Sequence, residues 1–163
     1  MRICFTSDEA KDLESVMSYH FGHCPYFVIV DVTNDGNVTN VESIENPLAD
    51  EHNAGDLPAF MKSKDVDVII TGGMGPKAQQ YFADYGIKLV IGAYGRVKDV
   101  LEEFLQKKVT YTPYRNEEAK TVHMEHHANE NEEIERVKKE VVALREQIAD
   151  LKSILKKLEE KLS

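Results

Sequence analysis

Tryptophan is absent from the 163 residues, and cysteine occurs only twice, at Cys4 and Cys24. Two isolated thiols give no disulfide framework. No C-x-x-C pair is present, so no single segment holds a zinc ion or a complete metal cluster. Long apolar runs are also missing: none approaches the roughly 20 residues needed to span a bilayer. The first residues, Met1 to Thr6, enter a strand-like segment without the pattern of a secretory leader. These absences predict a cytoplasmic protein with no membrane partner. A basic excess is lacking too, since 20 Lys and Arg stand against 29 Asp and Glu for a net charge of −9. That disfavours non-specific binding of nucleic acid, which needs a basic face. Neither a P-loop lysine motif nor G-x-G-x-x-G occurs.

A hydrophobic content of 42% supports a core of ordinary size, and the length predicts one domain with an appendage. The chain is organised around residues 66–76. Val66, Val68, Ile69 and Ile70 read as a buried strand. Gly72, Gly73 and Gly75 follow around Met74. Pro76 then opens a helix, a position where its missing N–H loses nothing, and Gly86 reads as its left-handed cap. A strand thus runs into a glycine loop and a helix N-terminus, whose N–H groups attract anions. A tight turn without a ligand is the competing reading.

The remaining elements follow in order. Residues 2–6 form a first strand, and 7–19 a polar, acidic loop. A turn at 20–25 carries His20, His23 and Cys24. Strands at 26–32 and 38–44 flank Asn34, Asp35, Gly36 and Asn37, a strong hairpin signal. A loop with His52 precedes a short helix near 57–64, with Leu57, Phe60 and Met61 inward. A fifth strand covers 87–93. An amphipathic helix covers 96–107, with Val97, Val100, Leu101, Phe104 and Leu105 on one stripe. A short edge strand is expected at 109–112, stopped by Pro113. This order predicts an α/β fold: a mixed sheet, antiparallel at one side and parallel at the other, flanked by helices. The loops at 22–25, 52–55 and 72–76 are expected to meet at the carboxyl edge of the strands, where α/β sheets place ligands.

Cys24 beside His23 raises nucleophilic catalysis, but neighbouring residues in an extended chain point apart, and no orienting carboxylate is evident. The expectation is therefore not an enzyme. Thiolate and imidazole are also ligands of iron and of iron–sulfur species. Cys24 with His23 or His52 would leave positions open for an exchangeable cluster. The plain alternative is that Cys24 and Pro25 only make a turn.

Residues 116–131 lack periodicity and read as a linker. Its His123, His126 and His127 are solvated or hold a metal. From Ile134 a heptad repeat takes over, with Ile134, Val141, Ile148 and Leu155 at position a and Val137, Leu144, Leu151 and Leu158 at d. Mostly β-branched a with Leu at d favours a parallel homodimer. Glu133 would face Lys138 of a second copy, and Glu140 would face Arg145. The expected organisation is 1–115 as a globular domain, 116–131 as linker and 132–163 as a coiled-coil helix.

The segment from Phe21 through Gly22, His23, Cys24, Pro25 and Tyr26 to Phe27, the loop His52 to Gly55, and Gly72 to Ala78 followed by Tyr85, Gly86 and Ile87 resemble the dinitrogenase iron–molybdenum cofactor biosynthesis family. The resemblance covers about residues 1–112. It implies an RNase H-like fold without nuclease chemistry, and members that bind or carry iron–sulfur or molybdenum-containing clusters. A histidine near His52 belongs to that pattern; the coiled coil does not. The expected function is non-enzymatic binding, carriage or insertion of an iron–sulfur or iron–molybdenum type cluster, delivered to a recipient metalloprotein. Gly72, Gly73, Met74, Gly75 and Pro76 would cradle it, and Cys24, His23 or His52 would ligate it. The alternatives are an interaction module working through the coiled coil, or a regulator that binds a phosphate or small molecule at the glycine loop.

Overall fold

The computed structural model describes residues 1–50, 53, 55–109, 111–112 and 131–162, with backbone alone for 131–136. Five strands form one sheet: β1 (Arg2–Ser7), β2 (Tyr26–Val32), β3 (Val38–Glu45), β4 (Val68–Thr71) and β5 (Lys88–Ile91). Their spatial order is β3-β2-β1-β4-β5. The β3-β2-β1 part is antiparallel and the β1-β4-β5 part parallel. The expected mixed sheet is therefore present. Gly36, at φ +84°, makes the β2–β3 turn in a conformation that L side chains resist.

Side chains alternate across the sheet, and each face buries its own core. On one face Ile3, Phe5, Val28, Val30, Val68, Ile70 and Val90 pack against α3 (Val97–Leu105) through Val97, Val100, Leu101 and Phe104. On the other, Cys4, Phe27, Ile69 and Leu89 pack against α1 (Asp56–Ser63) and α2 (Pro76–Asp84) through Leu57, Met61 and Phe82. The result is a three-layer sandwich. Gly86 caps α2 at φ +71°, as its position after the helix demanded.

Two local expectations change. The loop at 7–19 contains a single 3₁₀ turn, Asp12–Glu14. Val109, Tyr111 and Thr112 are not part of a strand. Instead the Thr112 N–H donates to the Leu89 carbonyl at 2.7 Å, and its hydroxyl accepts from the Ile91 N–H at 2.9 Å. A side-chain oxygen replaces the second ladder bond, so no regular pairing propagates.

The last helix, α4 (Asn131–Leu162), lies against the domain in an unusual way. The bonds that hold it there are polar. Arg145 donates to Asp8 at 2.8 Å, the Ser153 hydroxyl to Asp99 at 2.6 Å, and the Lys152 ammonium to the Tyr94 carbonyl at 3.0 Å. Arg96–Asp150, Lys152–Glu103 and Lys156–Glu102 are ion pairs. Among the described side chains of α4, Ala149 alone is fully buried. The seven heptad positions from Val137 to Leu158 are instead 38–60% exposed. The more exposed of these, such as Lys156–Glu102, are worth about 0–1 kcal/mol and are screened by salt, whereas the Asp8 side chain that meets Arg145 is only 8% exposed. The linker histidines His123, His126 and His127 lie outside the described residues.

Phe82 is fully buried and meets Phe21 edge-to-face at 5.2 Å between ring centres. Phe82→Ala is expected to cost about 3–5 kcal/mol, measured by denaturant unfolding at unchanged slope.

Candidate functional site

The carboxyl ends of β1, β4 and β5 and the start of β2 share one edge of the sheet. Every loop that leaves this edge is held by a specific bond. Segment 18–21 runs beside the glycine loop like an added strand. The Ser18 N–H donates to the Thr6 carbonyl at 2.9 Å, and the Phe21 N–H to the Gly73 carbonyl at 3.0 Å. His20 and Gly73 form an isolated parallel bridge. Beneath them the buried hydroxyls of Thr6 and Thr71 lie 3.1 Å apart, and each also meets a carbonyl, Ser18 at 3.0 Å and Gly73 at 3.2 Å.

Only glycine permits this approach. A Cβ on Gly72 would stand 2.7 Å from the Tyr19 Cα and 2.9 Å from its carbonyl oxygen. Both obstacles are backbone and cannot rotate away. Gly75, by contrast, faces open space and precedes Pro76 at the start of α2.

Between these loops lies a cavity of about 640 Å³. His20 and His23 line one side; Gly73, Met74, Gly75 and Lys77 line the other. The loop's carbonyls turn inward: Gly72 accepts from Gly92, Gly73 from Phe21, Met74 from the Gln79 amide and Gly75 from the Gln79 N–H. Gly73 is held in its parallel bridge to His20, and the N–H groups of Met74 and Gly75 follow it next to the start of α2. Consecutive N–H groups next to a helix N-terminus, with an ammonium in its first turn, form an anion cradle.

The His20 imidazole is held in the form that binds metal. His20 is exposed, yet its pKa is lowered by partial burial, then by Arg145 and by His23. A lowered value keeps the ring neutral at physiological pH, as ligation requires. The His23 Nδ1 lies 3.2 Å from the Ala49 carbonyl. In the tautomer that donates this bond, Nε2 is the basic nitrogen. The pairing also orients the ring.

Cys24 stands differently. The sequence places it in a polar turn, but its side chain is fully buried in the apolar layer under α1 and α2. Its thiol donates to the Phe21 carbonyl at 3.2 Å, and burial pushes its pKa up to about 12. It is not among the residues lining the cavity. The Asn46 amide clasps this turn from outside, donating to the Cys24 carbonyl at 2.9 Å and the Gly22 carbonyl at 3.3 Å. His52 lies outside the described residues. Among the described residues, no three of His, Cys, Asp and Glu come together as a metal site.

Sequence reasoning named His23 and the glycine loop but passed over His20 as a ligand. The usable signal was the three-residue spacing of His20 and His23 around Phe21 and Gly22, where the chain turns back on itself. Tyr19, whose ring meets His20 edge-to-face at 4.7 Å, carried no such signal.

The family described as dinitrogenase iron–molybdenum cofactor matches residues 1–107. The crystal structure of the protein PH0822 is 37% identical at TM-score 0.61, covering 69% of this chain and 96% of that one. The solution structure of a Thermotoga protein, described provisionally as NifB and placed in the DUF35 family, is 30% identical at TM-score 0.57, covering 71% and 98%. The apo form of the orange protein from Desulfovibrio gigas is 24% identical at TM-score 0.61 over 71% and 96%, a likeness of fold. No curated protein matches.

Two outcomes follow from this geometry. Gly72→Ala is expected to lose about 1–3 kcal/mol through forced separation of the two loops, read by denaturant unfolding. Cys24 is expected to resist alkylation at neutral pH in the native protein and to react at once after unfolding, read by mass spectrometry.

Proposed function

The chain belongs to the dinitrogenase iron–molybdenum cofactor family, and on that premise we propose that it is a non-enzymatic carrier of an iron–sulfur or molybdenum-containing cluster. The observation that carries this reading is the cavity itself: two imidazoles, His20 and His23, face an anion cradle at Gly73, Met74, Gly75 and Lys77 across about 640 Å³. Such clusters are anionic, and their sulfides accept hydrogen bonds from backbone N–H groups. The cradle supplies charge and hydrogen bonds; the imidazoles supply reversible ligation to iron or molybdenum. A few open ligands hold a cargo without closing its coordination, which is what transfer to a recipient metalloprotein requires.

The ligand set we propose is His20 and His23, with His52 as a third donor from the neighbouring loop. Cys24 is kept out of it, because a thiol with a pKa near 12 does not yield a thiolate at neutral pH. In this reading residues 1–115 are the cluster-binding domain, 116–131 a linker, and 132–163 a dimerising helix, and the protein works in the cytoplasm. No helix among the described residues is long and apolar enough to cross a membrane.

Anaerobic reconstitution with iron and sulfide, with and without molybdate, tests this reading. The wild type and Cys24→Ser are expected to gain visible absorbance and to keep metal through desalting. The His20→Ala, His23→Ala double variant is expected to retain about tenfold less metal. A colourless wild type, or equal retention by the double variant, overturns it. Protection by inorganic phosphate in a thermal-shift assay, with no metal retained, would point to a phosphate-binding regulator instead.

A further inference from the structure

Helix α4 is turned the wrong way round for a helix packed on its own domain. Amphipathic helices bury their apolar stripe and expose their polar face. Here Arg145, Lys152, Ser153 and Lys156 meet the domain, while Leu144, Leu151 and Leu155 stay 55–60% exposed. Val141 and Ile148, 38% and 50% exposed, border the gap between helix and domain. At about 100° per residue, the two rows are separated by roughly 100° around the helix. A second helix can therefore lie along the exposed row while the first stays docked. The row runs from Val137 to Leu158, about 32 Å at 1.5 Å per residue. A contiguous apolar strip of that length marks an interaction surface.

The occupant is a second copy of this chain. The row is a strict heptad with β-branched residues at most a positions and leucine at d, the choice that selects a parallel pair. Charges flanking it complement themselves in that orientation: Glu140 of one copy faces Arg145 of the other. Arg145 gives Asp8 one bond at 2.8 Å, and its guanidinium carries five donors in all.

This row also walls a second cavity, of about 440 Å³, between α4 and the sheet edge. Val141, Arg145 and Ile148 line it from the helix; Met17, His20 and Tyr94 line it from the domain. Val141, Leu144, Arg145 and Ile148 stand at i, i+3, i+4 and i+7, the four-cornered hole that receives one side chain of a facing helix. In a parallel, in-register pair that side chain is Leu144 of the second copy. Three corners of the hole are therefore walls of the cavity. Tyr19 and His20 border this cavity and the larger one alike.

We infer that the protein is a parallel homodimer through the α4 seam, and that Leu144 of each copy closes the α4-side cavity of the other beside His20. Assembly and access to that face of the candidate site are then one equilibrium. This inference stands on the apo geometry alone and does not rest on the identity of any cargo.

The test needs no metal. Sedimentation of the full chain at on the order of 10 µM is expected to give a dimer, and Leu144→Lys a monomer with an unchanged circular dichroism spectrum. Leu158→Cys is expected to form an interchain disulfide on mild oxidation, because in register the two positions meet at one end of the seam. Ala93→Cys places a thiol in the cavity wall. Its alkylation is expected to be roughly tenfold slower than in Ala93→Cys with Leu144→Lys, if dimer outnumbers monomer about ten to one. The Ala93→Cys rate on its own should rise on dilution. A monomeric wild type, a dimer that Leu158→Cys fails to cross-link, or equal alkylation rates would each overturn the inference. Loss of cluster binding with the dimer intact would leave it standing.

Discussion

The contact on which this molecule depends is the approach of segment 18–21 to Gly72 and Gly73. It is a backbone-to-backbone contact, with no room for a methyl group at Gly72. Its bonds run from Ser18 to Thr6 and from Phe21 to Gly73, with the paired hydroxyls of Thr6 and Thr71 below. Pinning this segment extends the sheet by one short rung at its carboxyl edge. That rung carries Tyr19 and His20 to the rim and returns Phe21 to the core, where it packs on Phe27 and Phe82. The site and the core are thus the two sides of one stretch of chain.

The same turn sorts the two kinds of ligand atom by solvation. His20 reaches solvent, with a pKa lowered by partial burial; the Cys24 thiol is sealed behind the wall, with a pKa pushed up to about 12. Desolvation acts on both groups in the same sense, against the charged form. For His20 that favours the neutral ring, and for Cys24 the protonated thiol. Around this pair the loop contributes no side-chain charge of its own, only backbone dipoles and Lys77. Such a cradle attracts anions by field rather than by shape.

Helix α4 reverses the usual logic of packing. Ionic and hydroxyl contacts hold it to the domain, and the apolar surface that ordinarily drives docking stays outside. These partly buried ion pairs fix the register of the helix on the domain. The helix is therefore placed with its seam aimed outward, over a cavity that borders His20. The family match ends at residue 107, before this helix begins, so the arrangement is an addition to the shared domain.

Local chemistry, written in order along the chain, was enough to determine the mixed sheet, the hairpin at Gly36, the cap at Gly86, the glycine loop before Pro76 and the heptads of α4. Each is set by residues a few positions apart: side-chain period, φ preference, or a missing N–H. Tertiary structure decided what depends on long-range proximity. Cys24 looked polar because its neighbours in sequence are; Leu57, Met61 and Phe82, far along the chain, bury it. His20 gained its place from Gly73, more than fifty positions away. Nor does a heptad say which face of its helix another element will take. That was settled by Asp8, Asp99 and Glu102, whose charges claim the polar side of α4 and leave the apolar side to something else.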